Sequence, residues 1–197
     1  YPGEQGGKSI AEILFGEINP SGRIPVSFPR SVGHLPCYYN HLPTDKGYYK
    51  KRGAYGKPGR DYVFSDPAAL WTFGYGLGYT TFSYDRVELD NKRLSFNDNL
   101  MVSVDVSNTG KREGKETVQL YIRQEYCSIV RPIKELKAFK KVSIEPGETK
   151  QVSFKLVLKD WGYYNNKGEY LLEAGRFFVM VGSSADDIKF KKVIEIL

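Results

Sequence analysis

The feature that most constrains the fold is a strict alternation of apolar and polar residues in the second half of the chain. Between positions 100 and 106 every second residue is apolar: Leu100, Val102, Val104 and Val106. A β-strand places successive side chains on opposite faces of its sheet, so this alternation indicates a strand with one buried face. The same alternation recurs at Val118, Leu120 and Ile122.

Further strands are expected from apolar runs bounded by turn residues, at positions 82–89, 136–142, 152–158, 177–181 and 191–196. About seven strands in about 115 residues is the count of an immunoglobulin-like or fibronectin type III-like sandwich. Trp161 and the two cysteines lack the spacing of an antibody domain. The pattern therefore predicts the sandwich architecture alone.

The N-terminal forty residues have a different organisation. Ile10, Ile13 and Leu14 show helical spacing, which predicts a short helix over 7–15 that ends at Gly16. A Pro- and Gly-containing turn follows at 19–22, and 24–28 is expected to be a strand. Such a unit needs packing partners on both sides. It is therefore interpreted as the end of an α/β domain that lies upstream in a longer protein.

Residues 31–80 show neither a strand nor a helix period, but they are rich in Gly, Pro and Tyr. A loop of this length within a compact protein is usually either functional or disordered, and the density of aromatic residues argues against disorder. The predicted organisation is an α/β remnant over 1–35, an aromatic connecting loop over 36–81 and a β-sandwich over 82–197.

Composition excludes several classes of function. The net charge of +6 is scattered and accompanies no nucleic-acid motif, and no run of 18 apolar residues is present, so neither nucleic acid nor a membrane span is expected. Cys37 and Cys127 match no zinc or redox spacing. His34 and His41 have no ligand partners at metal-site spacing and are expected to be solvated. No metal or cofactor is predicted.

Four sequence strings resemble glycoside hydrolase family 3, which includes many β-glucosidases and β-xylosidases. They are YPGEQGG at 1–7, ILFG at 13–16, NPSGRIPVSFP at 19–29 and FGYGLGYTTF at 73–82. The last resembles the string that precedes the family's C-terminal fibronectin-like domain, with Gly78 where serine is commoner. Asn108-Thr109-Gly110 and Gly114 resemble the turn residues of that domain.

The resemblance implies a retaining exo-β-glycosidase that uses two carboxylates and no cofactor. The nucleophilic Asp would lie in an N-terminal barrel and the acid/base Glu in the second domain, ahead of the stretch present here. No catalytic residue is therefore assigned to this chain, and Glu4 is not taken as one. The implied partners are the upstream catalytic domains and a β-linked oligosaccharide or glycoside. The implied location is the periplasm or the cell exterior.

The aromatic loop is the part of the chain expected to meet sugar. Tyr48, Tyr49, Arg60 and Asp61 are candidates for the outer, leaving-group side of a site that the missing domains complete. Aromatic faces stack on sugar rings, and charged side chains bond their hydroxyls. The alternative is that the tyrosines pack the seam between the two structural layers, as is expected for Trp71 and Phe73.

The acids of the sandwich, including Glu113 and Glu116, are expected on polar faces or turns. A structural, accessory role is therefore predicted for the β-domain. Two alternatives remain open: a non-catalytic carbohydrate-binding or adhesion module, and a scaffold without a ligand.

Overall fold

The computed structural model describes residues 3–43, 66 and 68–197. The N-terminal segment contains one helix, α1 (Gly6–Leu14). Gly16 follows it with φ +78°, a conformation that glycine adopts without strain, and its amide donates to the Ile13 carbonyl at 3.0 Å. The predicted helix and its stop at Gly16 are confirmed.

The strand predicted over 24–28 is wrong. This segment bends at Pro25 and Val26, and its one bridge within the described residues is between Phe28 and Trp71. Ile24 instead exchanges backbone hydrogen bonds with Gly74 and Tyr75. The segment lies along the connecting loop, and that irregular partner cannot supply a continuous ladder.

The described residues contain ten strands after α1, and the seven long ones cover the predicted positions except Leu158, which begins a 3₁₀ helix. Their bounds are β1 (Phe82–Leu89), β2 (Arg93–Leu94), β3 (Asn99–Asn108), β4 (Gly114–Gln124), β5 (Glu135–Ile144), β6 (Thr149–Val157), β7 (Tyr163–Tyr164), β8 (Tyr170–Leu171), β9 (Gly175–Gly182) and β10 (Ile188–Ile196). A short 3₁₀ helix, Leu158–Trp161, lies between β6 and β7.

The long strands form the two sheets of a sandwich. One sheet has the order β1-β3-β6 and the other β2-β10-β9-β4-β5, while β7 and β8 form a separate hairpin. The main core lies between the sheets and is built from the alternating apolar residues, among them Val104 and Leu120. The predicted fold, a mostly β fibronectin-like sandwich after a short α/β remnant, is confirmed.

Strand β5 lies at an edge of the five-stranded sheet within the described ranges. Lys140 and Lys141 project from this strand into solvent. Charged side chains on an edge strand discourage pairing with another sheet. Lys140 and Lys141 are thus explained without an anionic partner.

Candidate functional site

The most tightly organised polar cluster joins the N-terminal segment to the sandwich. Glu116 of β4 is buried and accepts hydrogen bonds from Arg23 Nη2 at 2.6 Å and from Tyr84 Oη at 2.7 Å. Arg23 belongs to the segment after α1, and Tyr84 belongs to β1. We call these three residues the seam triad. It holds three distant parts of the chain together.

The expectation that Glu116 lies on a polar face or turn is wrong. Glu116 precedes Val118 and Leu120 by two and four residues in β4, and side chains two residues apart lie on the same side of a sheet. The Glu116 side chain therefore points to the inner side of the sheet, as those of Val118 and Leu120 do. This two-residue spacing from Val118 and Leu120 was the feature of the sequence that indicated a buried acid. Its partner Arg23 lies 93 positions away, and no periodicity links the two residues.

A cavity of about 270 Å³ lies beside the seam triad. Arg23, Tyr84 and Glu116 line it together with residues of both joined segments. The Arg23 Nε is buried and has no hydrogen-bond partner among the described residues. Each oxygen of Glu116 accepts one of these two hydrogen bonds, so the carboxylate links Arg23 of the N-terminal segment to Tyr84 of β1.

Two asparagines extend the seam by hydrogen bonds. Asn19 donates to the Glu113 carbonyl at 2.8 Å and accepts from the Tyr79 amide at 2.7 Å. Asn108 accepts from Thr80 Oγ1 at 2.6 Å and donates to the Ile144 carbonyl at 2.8 Å. Buried or half-buried amides bonded on both sides fix the relative positions of the segments they join.

An aromatic cluster covers the outer face of the five-stranded sheet. The rings of Tyr39 and Phe73 stack at 4.3 Å, and Tyr39 meets Tyr121 of β4 edge-on at 5.8 Å. Tyr121 donates to Gln119 Oε1 at 2.6 Å, and Gln119 Nε2 donates to the Gly74 carbonyl at 3.1 Å. The connecting loop thus packs on the sandwich at this place, as the seam interpretation of Phe73 predicted.

The four predicted sugar-binding residues, Tyr48, Tyr49, Arg60 and Asp61, lie outside the described residues. Trp71 contacts Phe28 edge-on at 5.7 Å but stays 46% exposed, so its ring is only partly in the seam.

The expectation that both histidines are solvated is wrong for His34. That residue is buried, and its Nδ1 accepts from the Arg30 amide at 3.2 Å, because the turn at 31–34 folds the ring back onto the chain. Cys37 and Cys127 are both free thiols. Within 3–43, 66 and 68–197, no three His, Cys, Asp or Glu side chains are grouped as a metal site requires. The described segments also contain no helix of the length and hydropathy that would span a bilayer.

Two protein-family models match the chain, one for each part of the molecule. Residues 1–79 match the glycosyl hydrolase family 3 C-terminal domain, and residues 116–185 match the fibronectin type III-like domain. The chain belongs to glycoside hydrolase family 3. The seam triad and the aromatic cluster therefore join the family 3 C-terminal domain segment to the fibronectin-like sandwich.

Relatives in family 3 match nearly the whole chain. A periplasmic β-glucosidase of Salmonella typhimurium is 40% identical over 96% of this chain and 24% of its own length. A β-xylosidase of Formosa agariphila is 42% identical, over 96% of this chain and 25% of its own length. The chain thus spans about a quarter of the length of these curated relatives.

Solved family 3 structures have the same fold. A β-glucosidase from Erythrobacter marinus superposes with a TM-score of 0.89 at 44% identity, covering 100% of this chain and 24% of that protein. A mutant β-glucosidase from Listeria innocua in complex with laminaribiose gives 0.90 at 36% identity, over 100% of this chain and 27% of that protein.

The family 3 segment has an apolar surface that the sandwich does not cover. Phe15 is 85% exposed and Val32 is 89% exposed, and further large apolar side chains of this segment are at least two-fifths exposed: Ile10, Leu14, Ile18, Val26, Phe28 and Leu35. Large exposed apolar side chains concentrated in one short segment indicate an interaction surface. We call it the apolar face.

Alkaline pH tests the seam triad. Burial, and then the charge of Glu116, raise the pKa of the Tyr84 phenol above its ordinary value of about 10. The contribution of Tyr84 to stability is therefore complete below about pH 10 and is lost as pH rises, because only the unfolded phenol then ionises. This should remove about 1.4 kcal/mol per pH unit from the free energy of unfolding. Urea unfolding between about pH 8 and pH 11 measures it.

The matched variants for this experiment are Tyr84→Phe and Tyr164→Phe. Tyr164 is 70% exposed, so its removal should leave the alkaline slope unchanged. Tyr84→Phe should flatten the slope. Equal slopes in both variants would show that Tyr84 ionises as freely in the folded chain as in the unfolded one.

Proposed function

We propose that this chain is the C-terminal region of a retaining exo-acting β-glycosidase of the β-glucosidase or β-xylosidase type, and that it has an accessory, structural role there. The observation that carries the proposal is the match of 96% of the chain to about a quarter of proteins named β-glucosidase and β-xylosidase. Substrates of the full-length protein would be β-linked oligosaccharides or glycosides.

The geometry supports a role as a brace. Retention needs two carboxyl groups about 5 Å apart, one free to attack and one to carry a proton. The one fully buried carboxylate among the described residues, Glu116, is held by Arg23 and Tyr84 instead. The seam triad fixes the family 3 segment on the sandwich, and the apolar face is left to dock on the upstream catalytic domains.

The connecting loop is proposed to contribute to the sugar site. Tyr48 and Tyr49 would stack on the leaving-group sugar, and Arg60 and Asp61 would bond its hydroxyls. The loop's flanks support this, since Tyr39 and Phe73 anchor both of its ends on the sandwich. We also propose that the chain divides at residues 35 and 81, because Tyr39 and Phe73, near the two ends of the loop, both pack on the sandwich.

We also propose that the full-length protein acts in the periplasm or outside the cell. The support is the periplasmic β-glucosidase among the relatives.

Aryl β-glucoside and β-xyloside hydrolysis tests the proposed function. The full-length protein should hydrolyse at least one of the two with retention of anomeric configuration, followed by NMR, and this 197-residue chain alone should not. Turnover by the chain alone, or inversion by the full-length protein, would overturn it.

Variants of the loop test the site proposal separately. Tyr48→Ala and Arg60→Ala in the full-length protein should raise KM for a disaccharide more than KM for an aryl glycoside, since only the disaccharide places a sugar on the leaving-group side. Tyr38→Ala is a matched control on a half-exposed tyrosine outside the loop's predicted site. An equal change for both substrates would contradict the assignment.

A further inference from the structure

Two tyrosines are presented to solvent on the small hairpin between the 3₁₀ helix and β9. Tyr164 of β7 and Tyr170 of β8 are directly opposite each other in the antiparallel pair, so their side chains share one face. Their ring centroids are 5.1 Å apart at an interplanar angle of 63°. Tyr164 is 70% exposed and Tyr170 is 46% exposed. We call the pair the tyrosine platform.

Hydrogen bonds hold the ring of Tyr170 in place. Its hydroxyl donates to the Lys159 carbonyl at 2.7 Å and accepts from the Gly162 amide at 3.0 Å. A Cβ at position 162 would lie 2.7 Å from Cζ of this ring, so the ring lies directly against the glycine. Only a residue without a side chain permits that approach.

The turn that joins the two tyrosines is also fixed. Asn165 Oδ1 accepts from the amides of Lys167 at 2.9 Å and Glu169 at 3.0 Å. Asn165 Nδ2 donates to Glu169 Oε2 at 2.7 Å. The platform is therefore preorganised: binding a ligand there would cost little ordering of the protein.

Asn19 and Arg112 link the N-terminal segment to the sandwich where β4 begins, whereas the hairpin precedes β9, which begins beside the end of β4. The tyrosine platform therefore lies at the opposite end of the sandwich from these two contacts. Strands of about ten residues separate the two ends by roughly 30 Å. A third exposed tyrosine, Tyr126, lies in the loop whose Ser128 amide donates to Glu173, two residues after the hairpin.

We propose that the tyrosine platform binds sugar rings of a β-linked glycan chain. The choice of a glycan rests on the proposed function of the full-length protein. The rings are not needed to fill the core, since the main core excludes both. The hydrogen bonds of the Tyr170 hydroxyl and the fixed turn nevertheless hold this ring at a defined position in water, and Tyr164 packs edge-on against it.

The chemistry of a pyranose suits this surface. An equatorially linked sugar has an apolar C–H face, which can cover an aromatic ring, and a rim of hydroxyls, which need polar partners. The turn between the two tyrosines carries such groups: the amide of Asn165, the ammonium of Lys167 and the carboxylate of Glu169. A protein partner would need a much larger buried area than one exposed hairpin provides.

Titration of the 197-residue chain with cellohexaose and with xylohexaose, by calorimetry and by NMR, tests the proposal. At least one of the two should bind, and Tyr164→Ala should weaken that binding about tenfold. Tyr164→Phe keeps the ring and should stay within about twofold of the unchanged chain. Phe139→Ala removes an aromatic ring of similar exposure from β5 and should have no effect.

Circular dichroism of each variant separates loss of binding from loss of fold, and Tyr164 is exposed enough for the variant to fold. Binding that Tyr164→Ala leaves unchanged, or no binding of either oligosaccharide, overturns the platform. Hydrolysis by the full-length protein is measured separately. An active enzyme without platform binding overturns this inference alone, whereas an inactive one overturns the proposed function.

Discussion

Replacing Glu116 by Ala is expected to lower the free energy of unfolding by about 3–5 kcal/mol. The substitution removes the partner of the part-buried Arg23 guanidinium and of the part-buried Tyr84 hydroxyl. Removing one member of a buried ion pair lowers the free energy of unfolding by more than the intact pair contributes to it, because the remaining charge is uncompensated. Urea unfolding followed by tryptophan fluorescence measures the change as a shift of the midpoint.

Two controls show whether the buried charge is the cause. Arg93→Ala breaks an exposed ion pair with Glu195 and should cost about 1 kcal/mol or less. The double variant Arg23→Met, Glu116→Met removes both charges and should be more stable than Glu116→Ala. If the double variant were the less stable one, the cost would come from lost packing and the charge argument would fail.

Replacing Trp161 by Ala is expected to cost about 3–5 kcal/mol. Trp161 is 1% exposed, and its ring packs on Phe177 at 5.6 Å between the two sheets. The surrounding strands belong to rigid ladders and cannot collapse into the space, so a cavity remains. For a chain of this length the melting temperature should fall by about 6 to 20 °C in calorimetry.

Trp71→Ala is the matched control for the core variant. The Trp71 side chain is 46% exposed and contacts Phe28 at the surface, so its removal should cost about 1 kcal/mol or less. If the two variants lost the same free energy of unfolding, the connecting loop would contribute as much to stability as the core does.

The order of the strands along the chain was readable from the sequence because a half-buried strand repeats every two residues. The alternation at Leu100 and Val104 predicted β3, and the same pattern at Val118 and Leu120 predicted β4. The helix α1 and its end at Gly16 were readable for a similar reason, since spacing and turn chemistry are local. The short hairpin β7–β8 was missed because two-residue strands have no period.

By itself, the sequence determined the sandwich, the short helix and membership of family 3, because each depends on residues that are neighbours in the chain. Only the tertiary structure decided that Glu116 is buried against Arg23, that Tyr39 covers Tyr121, and that Tyr164 faces Tyr170. Those contacts depend on which strand faces which and at what register. Local periodicity carries no information on strand order or register. A polar group can be buried only where a partner from elsewhere in the chain lies close enough to bond it.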